Sequence, residues 1–555
     1  MKKKLLSLLL CVTSVVSLAG CSGIKFPDDN INEDIKSDRT QLYVGVFDGA
    51  LGYEWAKAWK KEYEEARADW VNPENGKVGV QIMFNRGKDE YGDGSLSSQI
   101  RQSPNAIYFL SSNSYDTFVT IDSTGNDSAS LIEDITDTVT EKIYDDNGDL
   151  VTDKSTATQS IMDTMYPEWR QLFEKNKNGQ KAYYAVPNWM SNPGIIYDAD
   201  LFAEMGYEVP ETYNDLTDLM DQMVADEITP FTFSTYDYIA LSSIGAAYAS
   251  YEGKNNYFLN ATLKGTDSNL GEINYDNGYK LCTQEGRKAM LKFAYDLAKD
   301  DRYTTLTTRA GLSHIGAQAE YVSSINTAES GKNRVGMFLE NSYWEREAKA
   351  TFDQMEQFDE NWGWGKRNFK YMLMPKFVDV DGIRNQTNEK HTVLASSTAS
   401  MTFINKSVDA TSKALAKDFL QFVHSRRGRA LYLINSSCLS AYNFTLTSEE
   451  YAQLTPFAKS IYDLTQRDDV EFVHGASLLN PIFEKQSLDF SFDWISYTDA
   501  TCYGKQGDGY NVTGRAMFNL FRNNKALTVQ DYFDGMSKYF SAEKWASTYA
   551  PLAKS

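Results

Sequence analysis

From Gln41 to Leu110, runs of strand character alternate with segments of helical spacing, and this alternation limits the possible fold more than any other feature of the chain. Gln41 to Phe47 (QLYVGVF) is β-branched and aromatic and ends in Asp48-Gly49, a strand followed by a turn. Trp55, Trp59, Tyr63, Ala66 and Trp70 then recur at helical spacing, with Lys60, Lys61, Glu62, Glu64 and Glu65 on the other face. That pattern predicts an amphipathic helix laid on a core. Val78 to Phe84 reads as a second strand, Leu96 to Gln102 as a short helix, and Ala106 to Leu110 as a third strand. The order predicts an open α/β sheet. In such sheets ligands sit beyond the carboxyl ends of the strands, which makes Asp48, Asn85, Arg86, Ser111 and Asn113 polar candidates for a binding site.

One such sheet does not account for 555 residues, because single cores stop growing near 250–300 residues. Two lobes are expected. The formal charge of -21 repels phosphate backbones and excludes nucleic acid as a partner. The chain is 13% aromatic, which disordered chains are not, so it folds. The 4 histidines are isolated, with no pair at metal-ligand spacing on a helix, and neither a metal nor a cofactor is called for. There is no GxSxG elbow, no phosphate-binding GxxxxGK[ST] loop and no GxGxxG after a strand. Paired-carboxylate glycosidases leave no such local mark, so a cell-surface glycoside hydrolase stays open as an alternative, as does a glycan-binding lipoprotein.

The N-terminus is an address. Lys2-Lys3-Lys4, the apolar stretch Leu5 to Leu18 and the small residues Ala19-Gly20 before Cys21 make a secretory signal. Leu18-Ala19-Gly20-Cys21 is similar to the lipobox of bacterial lipoproteins, in which the cysteine is diacylated and becomes the first mature residue. Residues 1–20 are then the signal peptide, and 21–40, polar and acidic, a flexible tether. Two acyl chains suffice for stable anchoring, which places the body on the outer face of the cell membrane. Beyond Cys11 and Cys21 the cysteines are Cys282, Cys438 and Cys502, an odd count at wide spacing that implies no disulfide framework and leaves any one pairing open. From Asp116 to Asp153 there are eleven acids and one base, which suggests a solvated insertion whose Asn147-Gly148 is a type I′ hairpin turn. Asp276-Asn277-Gly278 invites the same reading.

Tyr183 to Trp189 (YYAVPNW) is followed by Gly194 to Phe202 (GIIYDADLF), Met205-Gly206 and Val209 to Leu216 (VPETYNDL). Pro210 presets φ before a helix, Thr212 is placed to cap it, and Asp215 holds the capping-box position. In order and spacing these pieces resemble the family 1 extracellular solute-binding proteins, whose relatives include the maltose-binding protein. Gly331 to Met337 resembles that family's strand into its ligand loop, Tyr371 to Pro375 a crossing segment, and Ser412 to Phe422 a helix after the second crossing. Asn341 stands where the family has Gly, and as a residue tolerant of left-handed backbone it would keep the turn. Tyr343 stands where the family has Trp, with Trp344 next.

The resemblance implies an α/β, two-lobe periplasmic-binding-protein-like fold (type II), each lobe an open mixed sheet flanked by helices and joined by hinge crossings. It further implies a monomeric binding protein without enzymatic activity, which takes a carbohydrate, expected to be an oligosaccharide, and delivers it to an ABC permease. The crossings fall near Val186-Pro187, Leu373 to Pro375 and Leu439 to Tyr442. The N-terminal lobe is then 41–186 plus 376–440, and the C-terminal lobe 187–375 plus 441–555. Aromatic rings suit the C–H face of a sugar, so Trp189, Tyr343, Trp344, Trp362 and Trp364 are the candidate platforms, with Trp189 and Trp344 ranked first, each weighed against plain core packing. The anchor has a direct test: Cys21→Ala should move the protein from the membrane to the soluble fraction, and unchanged membrane association of the variant would refute lipidation.

Overall fold

The computed structural model describes residues 34–47, 51–87, 95–111, 118–234, 238–311, 313–395, 400–474 and 514–554. Residues from Ile35 onward form one compact unit. Its first strands and helices are β1 (Thr40–Phe47), α1 (Glu54–Ala66), β2 (Val80–Gly87), α2 (Ser95–Gln102) and β3 (Ile107–Ser111). After β4 (Ala185–Val186) the chain passes to β5 (Gly194–Asp198), α3 (Tyr213–Ala225), β6 (Thr229–Thr232), α4 (Tyr238–Thr262), α5 (Glu285–Lys299), β7 (Val335–Glu340), β8 (Phe369–Met372) and β9 (His391–Ala395). It returns through β10 (Ser400–Ile404), α6 (Ala410–Val423) and α7 (Arg426–Ser436), then continues to α8 (Pro456–Leu464) and β11 (Val470–His474).

Two main mixed sheets result. The first has the order β2-β1-β3-β10-β4, with β1 parallel to β2 and β3, and β10 antiparallel to β3 and β4. The second has the order β8-β5-β7-β6, with β7 antiparallel to β5 and parallel to β6. The alternation that begins at Gln41 therefore builds the first sheet as expected. Leu42, Val44 and Val46 make the buried row of β1, and the α1 stripe Trp55, Trp59 and Tyr63 is core. Trp59 stacks on Tyr432 with centroids 5.0–5.5 Å from its nearest aromatic neighbours and donates its indole N–H to the Gly428 carbonyl at 2.7 Å. Gly45 is needed on β1, because a Cβ there would lie 2.4 Å from the Tyr108 ring.

The opposite face of α1 is less solvated than its charges suggest. The helix ends at Ala66, which is exposed, and Trp70 lies beyond it. Lys60 and Glu64 are buried: Lys60 donates to the Ile82 carbonyl, Glu64 accepts from the Ile82 N–H, both at 2.8 Å, and the two side chains pair at 3.1 Å.

Several boundaries differ from expectation. Lys36 and Arg39, assigned to the tether, already belong to the body, since the Lys36 N–H donates to Gln81 and the Gln41 amide donates to the Lys36 carbonyl. The acidic segment after Asp116 is not a surface insertion, for Phe118, Ile132, Ile135, Val139 and Tyr144 are buried. Its hairpin at Asp145–Asp149 has positive φ at Gly148 alone, whereas type I′ needs it at both central residues. Asp145 instead holds the turn by accepting from the N–H groups of Asn147 and Asp149. Asn277 ends a turn that runs into a 3-10 helix over Gly278–Thr283, not a hairpin. Cys282 and Cys438 are both buried free thiols, and Cys502 lies outside the described residues.

The largest departure concerns 376–395, expected in the first lobe. Phe377 stacks on Tyr213 at 4.4 Å, and Phe377, Val380, Ile383 and Leu394 share the core that covers the second sheet. β9 pairs in parallel with β11, and Tyr371 sits in the edge strand β8 instead of a crossing.

The YDADLF segment shows why its residues are those. Asp198 ends β5, caps the helix Ala199–Met205 through the Leu201 N–H, and receives Arg334 at 2.8 Å and Arg367 at 2.6 Å while fully buried. Burial pushes its carboxyl up, but the two guanidiniums outweigh that and hold it below the usual carboxylate range. Thr212 and Asp215 form the capping box that opens α3, as predicted. Because Asp198→Asn leaves the buried Arg367 guanidinium without its charge partner and Arg334 with Glu204 alone, it should cost about 3–5 kcal/mol, read as a lowered denaturant midpoint.

Candidate functional site

The chain passes between the sheets at three places. The first crossing, 187–193 between β4 and β5, is pinned by the residue that opens β10. The Ser400 hydroxyl accepts from the N–H groups of Asn188 at 2.9 Å and Trp189 at 2.8 Å, and donates to the Trp189 carbonyl at 3.0 Å. The second crossing leads from β9 to β10 through 396–399, outside the described residues. The third follows α7 through 438–443. Trp189 bridges Ser440, the Met190 N–H donates to the Leu439 carbonyl at 2.9 Å, and the Tyr442 hydroxyl donates to the Pro187 carbonyl at 2.7 Å. First and third crossings thus lie side by side.

The loop after β7 closes on this junction. Ser191 donates to the Asn341 side-chain oxygen at 2.5 Å, the Asn192 N–H donates to the Ser342 hydroxyl at 3.2 Å, and the Asn341 amide reaches the Tyr343 hydroxyl at 3.2 Å. Asn341 does not adopt left-handed backbone. Its side-chain hydrogen bonds hold the turn that Gly would make by conformation. The Tyr343 ring stands edge-on to Trp189, centroids 6.0 Å apart, so two of the predicted platforms meet here, both of them buried at 7–8% exposure.

Trp344 does not join them. It is fully buried, with Tyr321, Phe338, Phe352, Phe369 and Phe457 around it at centroid distances of 5.1–5.9 Å. No face of the ring is open to a ligand, and core packing is its role. Trp362 and Trp364 are half-buried around a 3-10 turn, Glu360–Trp362. The Arg346 guanidinium lies over the Trp364 ring at 5.5 Å and approaches the Glu54 carboxylate at 4.0 Å, beside Gly52. Burial lowers the Arg346 pKa, and Glu54 opposes the shift. Arg346 and Glu54 join the second sheet's loop to the first turn of α1. Sequence reading missed both, and the one available signal was an Arg two residues past the predicted platform Trp344.

On the first sheet, the Asn85 amide donates to Asn105 at 2.5 Å. Arg86 lies opposite Val46 near the end of β2, and Ser111 lies opposite Ser400, which brings the carboxyl end of β3 to the first crossing. Asp48 and Asn113 fall outside the described residues, as does Cys21.

Two α/β sheets joined by adjacent crossings, with a polar and aromatic loop closing on them, define a two-lobe binding-protein fold of type II. The pattern of the bacterial extracellular solute-binding protein family matches residues 106–430, and the chain belongs to that family. Among solved structures it is similar to RafE in complex with raffinose, at 12% identity over 90% of this chain and 98% of that one, with a TM-score of 0.51. It is also similar to a protein from Streptomyces coelicolor described as a probable secreted solute-binding lipoprotein, at 12% identity over 91% and 99%, with a TM-score of 0.50. No curated protein matches the chain significantly. Among the described residues no helix is long and apolar enough to cross a membrane.

Two carboxyls in the loop region give the site a pH dependence. Glu345 is buried; one oxygen accepts from Thr455 at 2.6 Å and Ser437 at 3.4 Å, and the other has no partner. Burial pushes its pKa up to about 7, against the two hydroxyl donors. Burial, with Glu347 nearby, pushes Glu340 up to about 8. Both folded values lie above the unfolded carboxyl near 4.3, so the fold favours the neutral acids. Their contribution is full below about pH 4 and is lost as pH rises toward 8. Glu345→Gln should therefore raise the melting temperature over the parent at pH 8 and leave it nearly unchanged at pH 4. A difference that does not vary with pH would contradict the assignment.

Proposed function

We infer that this protein is a lipid-anchored extracellular receptor that captures a carbohydrate, an oligosaccharide in preference to a single sugar, between its two lobes and hands it to an ABC permease. Membership of a family of solute-binding proteins supports capture, and the raffinose carried by RafE supports the sugar class. The observation that bears most weight is the Trp189–Tyr343 pair, hung on the first crossing and on the loop after β7. Aromatic surface placed at a hinge contacts a sugar face in a way that depends on lobe closure, so ligand shifts the hinge equilibrium by its differential affinity.

The lobes proposed are 41–186 with 400–440, and 187–395 with 441–555. Trp189 and Tyr343 serve the sugar face. Asp48, Asn85, Arg86, Ser111 and Asn113 on the first lobe serve its hydroxyls, and Trp362 and Trp364, with Arg346 and Glu54, extend the site toward α1. The signal peptide and lipobox at Cys21 supply the anchor, and the protein acts as a monomer.

A thermal-shift panel of oligosaccharides, run with a parallel assay for released reducing ends, tests this reading. Stabilisation without product is expected, and product release would establish the hydrolase instead. Trp189→Ala should weaken binding more than tenfold and, because the ring is buried, also lower the melting temperature of the apo protein. Trp344→Ala should cost about 3–5 kcal/mol of stability. Binding within a few-fold of parent in Trp189→Ala would remove the Trp189–Tyr343 pair from the site.

A further inference from the structure

One turn past Tyr343, the loop after β7 carries a cation that its surroundings leave without hydrogen bonds. Arg346 is 9% exposed, and its backbone N–H donates to the Tyr343 carbonyl at 3.1 Å. Its guanidinium, among the described residues, meets the face of the Trp364 ring at 5.5 Å and the Glu54 carboxylate at 4.0 Å, too far for a hydrogen bond. Glu54 is engaged more closely by Lys57, at 3.1 Å. The other acids that influence Arg346 are turned elsewhere: Asp353 is held by Lys349 at 2.7 Å, and Glu345 accepts from Thr455 and Ser437. Burying a guanidinium whose donors go unused is costly. Unlike the unpaired Nε of Arg334, Arg367 and Arg429, its nitrogens are not closed off from solvent, and the side chain is 11% exposed.

The guanidinium faces the start of α1. A Cβ on Gly52 would lie 3.4 Å from its Nε and from its Nη2, and Gly52 has a φ of 63°, in the left-handed region that favours glycine. The Trp55 indole N–H fixes this turn by donating to the Gly52 carbonyl at 2.8 Å. Tyr53, in the N-cap position of this thirteen-residue helix, makes no capping hydrogen bond with its side chain. The first N–H groups of a helix have no intrahelical acceptor and carry the positive end of its dipole. A guanidinium from the second sheet's loop and a helix N-terminus from the first sheet's layer therefore converge on one place.

Oxyanions are what such a pair stabilises, since the guanidinium fork matches a carboxylate or sulfate bidentately and the helix end adds N–H donors. The formal charge of -21 gives the chain no general attraction for anions, so the selection is local. We propose that the molecule captured here is an acidic oligosaccharide, whose uronate carboxylate or sulfate ester is held between Arg346 and the N-terminus of α1. This rests on the oligosaccharide reading above and specifies it: a neutral sugar would leave the guanidinium as it is, without a hydrogen-bonded partner.

Calorimetry on the full chain tests the assignment, with galacturonate and glucuronate oligosaccharides, their neutral methyl esters, and sulfated disaccharides beside their desulfated forms. At least one acidic sugar should bind about tenfold or more tighter than its neutral counterpart, and whether it is a uronate or a sulfated one identifies the oxyanion. Arg346→Met, which keeps most of the side-chain volume, should erase that preference and melt at or above the parent's temperature, because a buried charge without hydrogen bonds is gone. Glu54→Gln removes the nearest carboxylate and should raise affinity for the acidic sugar alone. If every neutral form binds as tightly as its acid, or Arg346→Met keeps the preference, the proposal is overturned and the oligosaccharide reading survives. Should Arg346→Met fail to fold, an acid-to-neutral ratio unchanged in Glu54→Gln overturns it. If neither acidic nor neutral oligosaccharides bind, both readings fall.

Discussion

A single hydroxyl holds the junction on which the two-sheet arrangement depends. The chain leaves the first sheet at Val186 and re-enters it at Ser400, more than two hundred residues later in sequence. At that return the Ser400 oxygen takes up two consecutive N–H groups of the outgoing segment and gives its own proton to the carbonyl of the second. Backbone groups in a buried crossing have no sheet to satisfy them, and leaving them unpaired would be costly. Tyr442 does similar work from the third crossing by donating to the Pro187 carbonyl. These backbone groups of the junction are therefore satisfied from within, and each sheet builds its core on its own side of it.

Those cores rest heavily on aromatic rings. A buried Trp removes about 150–250 Å² from water, roughly 4–6 kcal/mol at 25 cal/mol per Å² and an upper bound given a compact unfolded chain. The rings around Trp59 and around Trp344 use this on opposite sheets, in edge-on and tilted contacts that a ring's quadrupole favours. Placing Trp344 in a core also anchors the loop before it, since Tyr343 precedes it directly and turns toward Trp189. One residue of the pair fixes the loop, and its neighbour remains at the junction.

How far the sequence predicted this depends on whether each signal is local. Hydrophobic spacing located β1, α1, β2, α2 and β3, and the Thr212–Asp215 capping box opened α3, because each is decided by residues close in the chain. Distant partners decided the rest. Lys60 and Glu64 read as a solvated face, yet the backbone of Ile82 draws them inward. Residues 376–395 were assigned by analogy of position, and only the stacking of Phe377 on Tyr213 reveals the core they join. Of the candidate platforms, adjacent rings at 343 and 344 could not be told apart by pattern, since which faces the core depends on the Phe338, Phe369 and Phe457 side chains brought in from elsewhere. Arg346 and Glu54, 292 positions apart, left no joint trace for the same reason.

β2 is the outer strand of the first sheet, and such a strand ordinarily presents a row of free amides and carbonyls as a template for another chain. Here the N–H and carbonyl of Ile82 are both occupied by α1, through a carboxylate and an ammonium that also pair with each other. A foreign strand would have to displace a buried ion pair to dock, so at its midpoint the rim of the sheet is closed to amyloid-like growth and to strand exchange between neighbouring copies.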